Sequence, residues 1–495
     1  MFLAVALLVI VLGLLAYLDS RKPKNFPPGP RWWPLIGSAF EIMEARKRTG
    51  YLFQATAEMA EKYGPVLGLK FGRDKLVVVY GPEAVKEFLS SEDLSGRPHD
   101  DFYRMRTFGK RRGIILVDQN FWTEQRRFLL RHLREFGFGR KTMSSMIEDE
   151  AAHLVTYLKE TIVKNDSVVF NVETLFNVPI LNTIWKMMAG VRYHPDDKNM
   201  QELLAIMAKL FGTVDMTGAL FSRFPILKYI APEMSGYNIM VELHVRMYEV
   251  IGKMLEEHKR THNPDDPRDL MDVYLTALKS ENPGRSFSEQ QLMAICLDMF
   301  MAGSETTSNS LTFGVLHLML NQEAQNKARE EIDRVIGKER RPTLDDRPLM
   351  PYLECVVFET LRMFGGRVLT VPHRALKDTH LNGYFIPKDV QVIANLHGCM
   401  MRPENGFDDP EAFKPERYLK NGKIHLPETY MPFAMGKHRC MGETMARANV
   451  FLFLTTMIQN FEFSVVPDSP PDMKMVDGVT PGMKHFKARV VPRML

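Results

Sequence analysis

The stretch PFAMGKHRCMGE, residues 432–443, sets one of only four cysteines among spaced landmarks: Phe433, Gly436, Cys440 and Gly442. A thiolate is a nucleophile and a soft metal ligand, and helix N-terminal amides and nearby cations lower its pKa. Both are expected here. A helix is predicted to start just after Cys440, at ETMARANVFLFLTTMIQNF, and Lys437, His438 and Arg439 precede the thiol. Gly436 and Gly442 permit a close backbone approach or an unusual φ, while Phe433 offers a flat face to a planar ligand. At this chain's residue frequencies, a chance match to the four positions is on the order of one in a thousand. The plainer alternative is a structural cysteine beside a turn.

Around this stretch lies a chain of 495 residues, 45% hydrophobic and 25% charged, an ordinary globular balance. A net charge of +4 gives no indication of a polyanion-binding protein, so no nucleic-acid partner is expected. The other cysteines, Cys296, Cys355 and Cys399, are too far apart for paired-cysteine metal spacing. A disulfide framework is not expected in a chain of this size, which places the body in a reducing compartment.

The opening run MFLAVALLVIVLGLLAYL is uncharged from Met1 to Leu18 and is followed by Asp19, Arg21, Lys22 and Lys24. As a helix it would span about 27 Å, close to the thickness of the endoplasmic reticulum bilayer. The alternative is a cleaved signal peptide, but no basic segment precedes the run and no clear cleavage site closes it. The positive flank after the helix puts the body on the cytosolic side. The expected organisation is an anchor at 1–20, a stiff proline-rich linker at 21–44 and a single body at 45–495.

Within the body, PVLGLKFG and KLVVVYG flank Arg73-Asp74 and read as a hairpin. Helical periodicity dominates from about 82 to 335, and strands return around HLNGYFIPKDVQVIANL, with Asn382-Gly383 as a turn. The fold class is therefore mainly α with a small β region. AGSETT, residues 302–307, interrupts a long apolar helix for which Ser288 and Gln291 form a candidate capping box. Gly303 and the Glu305-Thr306 pair are costly in such a helix unless they have a task, although a polar turn bonded to its own carbonyls is equally open. ETLR places Glu359 and Arg362 three residues apart on one helix face, and FKPERY adds Arg417.

The stretch at 432–443 resembles the cysteine-ligand loop of the cytochrome P450 family, haem-thiolate monooxygenases with the pattern F-x-x-G-x-R-x-C-x-G; His438 stands where the family's arginine is usual. The resemblance runs from the N-terminal anchor to the tail. It implies the cytochrome P450 fold and a haem b whose iron is held by Cys440. It assigns Ala302, Gly303 and Thr306 to the oxygen site and Glu305 to proton delivery there. Glu359, Arg362 and Arg417 become a buried triad that supports the cysteine loop. Arg97, Trp122, Arg126, His373 and His438 become partners of the haem propionates, with Phe433, Gly436 and Gly442 shaping the loop.

The chain carries no flavin or dinucleotide fingerprint of its own, so its electrons need a separate donor. By resemblance this is an NADPH-dependent reductase on the same membrane, with cytochrome b5 as a second candidate. Lys437, Arg439, Arg127, Arg131 and Arg134 are candidates for the basic docking face. Substrates are expected to be lipophilic, with Phe211, Met301, Val368 and Thr480 among the candidate pocket walls. DFYRMRTFGKRRG and LREFGFGRKTM resemble arthropod microsomal members, among them those that epoxidise methyl farnesoate in juvenile-hormone synthesis. Hydroxylation of steroids, fatty acids or xenobiotics, a haem-thiolate isomerase, and a non-catalytic haem or lipid carrier are the competing functions. An isomerase or a carrier has little use for Glu305-Thr306.

Overall fold

In the computed structural model, which describes residues 2–282 and 284–493, the apolar N-terminal run forms one helix, α1 (Phe2–Ser20), with no buried residue. Among the described residues it is the one helix long and apolar enough to cross a membrane. The proline-rich stretch does not stand away from the body. Phe26 and Trp32 are buried, and Gly68 N donates to Pro28 O at 2.7 Å, so the segment lies against the sheet. Helix α2 (Ala39–Thr49) begins inside the expected linker and runs across its end.

The expected hairpin is formed by β1 (Val66–Phe71) and β2 (Asp74–Tyr80), antiparallel, with Gly72 at φ 56° in the turn. A short strand, β3 (Val169–Asn171), interrupts the helical region and pairs with the C-terminal strand Lys487–Pro492. Next along the chain come the strands β4 (His373–Arg374), β5 (Thr379–Leu381), β6 (Tyr384–Ile386) and β7 (Gln391–Asn395), with further short strands toward the C-terminus. The main sheet has the order β1-β2-β7-β4, with β7 parallel to β2. Asn382 and Gly383, at φ 48° and 79°, turn the β5–β6 hairpin. Two consecutive positive φ values are what a two-residue hairpin loop demands, hence Asn-Gly.

The helices that position the candidate site are α3 (Gln119–Glu135), α4 (Lys141–Asn165), α5 (Asn177–Ala189), α6 (Lys198–Thr213), α7 (Tyr237–Thr261), α8 (Glu289–Leu320), α9 (Pro351–Gly365) and α10 (Glu443–Asn460). Helix α8 is the axis of the fold, packed against α5, α7, α9 and α10. Leu292, Ile295, Phe300, Phe313 and Leu316 are buried at positions all around it, the pattern of a core helix rather than a surface one. Ser288 caps it, its Oγ accepting from Gln291 N at 3.1 Å. The return half of the capping box is absent: the Gln291 amide is spent on Gly113, donating to its carbonyl and accepting from its N–H, both at 2.9 Å. That pairing ties α8 to the loop before α3.

Candidate functional site

The loop that carries Cys440 is shaped by two left-handed residues, Ala434 at φ 55° and Gly436 at φ 75°. A Cβ on Gly436 would sit 2.0 Å from Leu89 O, so this position excludes every side chain. Cys440 N donates to Phe433 O at 3.1 Å and Arg439 N to Gly436 O at 3.2 Å, which closes the turn. Gly442 then caps α10, and a Cβ there would lie 3.9 Å from Cys440 Sγ, an ordinary contact. Cys296, Cys355 and Cys399 are buried, whereas Cys440 is exposed. The expectation of an acidified thiol is corrected. Although solvent reaches it, Cys440 is largely surrounded by protein, and this burial raises its pKa more than the Gly442 N–H, Arg126 and Arg439 lower it. A bound cation would favour the thiolate against this burial.

On α8, Ala302 is exposed although the helix around it is core, which marks an open side. Gly303 faces the other way: a Cβ would meet Ile184 of α5 at 3.3 Å, so close helix packing accounts for the glycine. Thr306 Oγ1 donates to Ala302 O at 2.8 Å, the back-bonding that lets a hydroxyl rest in a helix. Glu305 is half-buried and accepts from Asn309 Nδ2 at 3.2 Å. Burial pushes its carboxyl up to about 7, against an ordinary value of 4.5.

A polar cluster borders the cysteine loop. Arg126 donates from Nη2 to Arg439 O at 3.2 Å and lies over the Trp122 ring, 5.1 Å from its centroid. His438 packs on Trp122 at 4.4 Å and on His373 at 5.2 Å. Arg97 is buried, and its Nη1 donates to Val371 O and Pro372 O at 3.1 and 3.0 Å. Its Nε is buried without a partner, and burial pulls the guanidinium down to about 9. An orphaned donor on a desolvated cation fits a carboxylate such as a haem propionate. The histidines fit it less well. His438 Nε2 donates to Ser95 O at 2.8 Å and His373 Nδ1 to Leu94 O at 2.9 Å. Burial pulls His438 down to about 3 and His373 well below 6.5, so each is neutral with its one N–H already given away. Of the five expected propionate partners, the two histidines thus have their N–H groups engaged within the protein, while Arg97 keeps an unpartnered donor.

The expected triad is assembled. Arg362 Nη2 and Arg417 Nε lie 2.7 and 3.1 Å from Glu359 Oε1, and all three side chains are buried. Tyr418, not foreseen, donates to Glu359 Oε2 at 2.8 Å, and Lys414 N to Oε1 at 2.9 Å. Both arginines spend further donors on the carbonyls of residues 408–412. Phe211 and Thr480 are brought together, because Val479 N donates to Phe211 O at 2.8 Å. Thr480 Oγ1 is buried and unpartnered. Met301 and Val368 are half-buried against the main core. Of the cations expected on a docking face, Lys437 pairs with Glu92 at 2.7 Å and Arg439 with Glu443 at 2.6 Å, while Arg127, Arg131 and Arg134 are exposed on α3. Also unforeseen is the buried pair Arg106–Asp298, which joins the loop before α3 to α8 one turn ahead of Ala302. An acid inside the apolar run ICLDMFMAG was its only signal.

The Cytochrome P450 family model matches residues 27–487. Curated relatives are similar along the whole chain. A probable cytochrome P450 303a1 of Drosophila melanogaster is 45% identical over 96% of this chain and 95% of its own length. A farnesoate epoxidase of Bombyx mori is 34% identical over 99% and 98%. Cytochrome P450 2J2 of Homo sapiens is 33% identical over 97% and 93%. A match of this extent, on a helical fold that presents an exposed cysteine in a glycine-shaped loop before its last long helix, shows that the chain belongs to the cytochrome P450 family and is a haem-thiolate monooxygenase.

Proposed function

We propose that this protein is anchored in the endoplasmic reticulum membrane by α1, faces the cytosol, and oxygenates a farnesoid, epoxidising methyl farnesoate to a juvenile hormone. One atom of O2 enters the substrate and the other leaves as water, at the cost of two electrons and two protons. The electrons come from NADPH through a separate reductase that docks on Arg127, Arg131 and Arg134. In this reading Cys440 would ligate the haem iron, and Arg97, Trp122 and Arg126 would hold the haem carboxylates. Phe433 and Gly436 shape the loop, while His373 and His438 fill the ring edge as neutral packing groups. Bound there, haem supplies the activation of oxygen.

The chain's own chemistry lies in Glu305 and Thr306, and this pair carries the reading. A carboxyl held near 7 is protonated and ionised in comparable amounts at neutral pH, so it can both take up and release a proton. The Thr306 hydroxyl gives its hydrogen bond to Ala302 O, and rotation frees it to donate toward the open side that Ala302 marks. The farnesoid is supported by the relative named for farnesoate epoxidation. Thr480 Oγ1 is a free polar point at which an ester carbonyl could register. The test is turnover of methyl farnesoate by the membrane-bound, haem-loaded protein with reductase and NADPH, followed by mass spectrometry. A single-oxygen epoxide is expected. Absence of product from haem-loaded protein would remove the farnesoid and turn the search to steroids, fatty acids and xenobiotics.

A further inference from the structure

Where α1 meets the body, a cavity of about 640 Å³ is lined by Leu18, Asp19, Arg21, Lys22, Pro23, Lys24, Trp32, Lys70, Arg73 and Lys75. Its polar lining is cationic apart from one acid, Asp19, which accepts from Lys70 Nζ at 2.5 Å. Lys22 Nζ donates to Gly29 O at 2.8 Å, and Arg73 lies 3.8 Å from Asp74. Among the described residues no salt bridge is formed by Arg21, Lys24 or Lys75.

Three features of this cavity are costly for the fold alone. Lys70 and Lys75 are register partners across the β1–β2 pair, and like charges directly opposite destabilise a sheet. Trp32 is 2% exposed, and its Nε1 is buried without an acceptor. Burial lowers the pKa of Lys22, so its charge is held away from water. One anion in the cavity would offset all three: it would screen the opposed lysines, offer Trp32 an acceptor and favour the charged form of Lys22. Lys22 and Lys70 lie 5.7 and 5.9 Å from the Trp32 ring, which keeps the donors together.

We infer that this cavity is a binding site for the headgroup of an anionic phospholipid that ends in a phosphomonoester. The inference rests on α1 as a membrane span. If α1 crosses the bilayer, then Leu18 and Asp19 sit at its edge and the cavity opens at headgroup depth. A phosphomonoester carries a charge near −2 and three strong acceptor oxygens, matching a cluster of converging donors. A zwitterionic headgroup would bring its quaternary ammonium among the same cations, which disfavours it.

The test reconstitutes the haem-loaded full chain in phosphatidylcholine nanodiscs. These contain either phosphatidate or phosphatidylserine at matched total charge, and retained lipid is read by native mass spectrometry. The native chain is expected to retain phosphatidate several-fold over phosphatidylserine. The double variant Arg73→Glu, Lys75→Glu, on the hairpin and remote from Cys440, should lose that preference. It should keep the reduced carbon monoxide spectrum of the native protein. Equal retention of the two lipids by the native chain, or an undiminished preference in the variant, overturns the site. Excess inorganic phosphate at constant ionic strength should leave phosphatidate bound. If phosphate displaces it fully, the ligand is a soluble phosphate and the lipid assignment is wrong. Failure of the chain to enter phosphatidylcholine nanodiscs at all would instead strike the anchor reading, so the two failures are distinguishable.

Discussion

At position 438 a histidine stands where the family pattern has arginine, and its surroundings decide what the exchange does. Its one N–H goes to Ser95 O and burial keeps it neutral, so it has no donor left to offer an anion. In the proposed reading the buried, unpartnered Arg97 Nε is the group that would. Arg97→Leu should weaken haem binding about tenfold or more, the worth of a charge-assisted hydrogen bond, whereas His438→Gln should change it little. Haem transfer to apomyoglobin measures both. Glu305 offers a pH test. Its native pKa of about 7 exceeds the ordinary 4.5, so the folded state holds a proton that the unfolded chain has released. The contribution of this group is fully present below pH 4.5 and is lost as pH rises through about 7. Glu305→Gln should flatten the stability–pH curve in that window, read from urea melts, and lower turnover about a hundredfold.

At the scale of elements, the cysteine loop is held by interactions that do not touch the thiol. Glu359 at the centre of the triad takes two arginines, one tyrosine and one backbone N–H. Glu359→Gln strands two buried guanidinium groups and should cost about 3–5 kcal/mol, whereas Tyr418→Phe should cost about 1 kcal/mol. Chemical denaturation of the haem-loaded protein separates the two. Tyr418 adjoins Arg417 in FKPERY, but a tyrosine beside an arginine carries no sequence mark of burial. Strand β3 was equally hidden. Three residues are too few for a periodic pattern, and they become a strand because Lys487–Pro492, more than 300 positions away, supplies the partner edge.

At the scale of the whole molecule, α1 buries nothing of its own, and Asp19 near its end is the residue that pairs with the buried Lys70. Removal of residues 1–18, which keeps that pair, should therefore leave the fold and the carbon monoxide spectrum intact. It should not abolish membrane affinity. Phe40 and Met43 are exposed on α2, and Ile226, Tyr229, Ile230 and Met234 between α6 and α7. Arg46 joins the two regions through Asp215 at 3.1 Å and also grips Asp477 at 2.7 Å. Flotation with phosphatidylcholine vesicles should find the truncated chain partly bound, and lysine replacements at Ile226 and Ile230 should release it.

The sequence by itself determined what rests on local chemistry. It marked the helix periodicities, both hairpins and the apolar N-terminal run. It also singled out a cysteine among glycines and an acid–hydroxyl pair in an apolar helix. These are legible because each is a pattern over a few neighbouring residues. Only the tertiary structure decided which charges are satisfied. The neutrality of His438, the raised thiol of Cys440, the orphaned Arg97 Nε and the pairing of buried Lys70 with Asp19 all depend on atoms distant in sequence. Desolvation and partner choice are properties of position in space, and a side chain's type does not contain them.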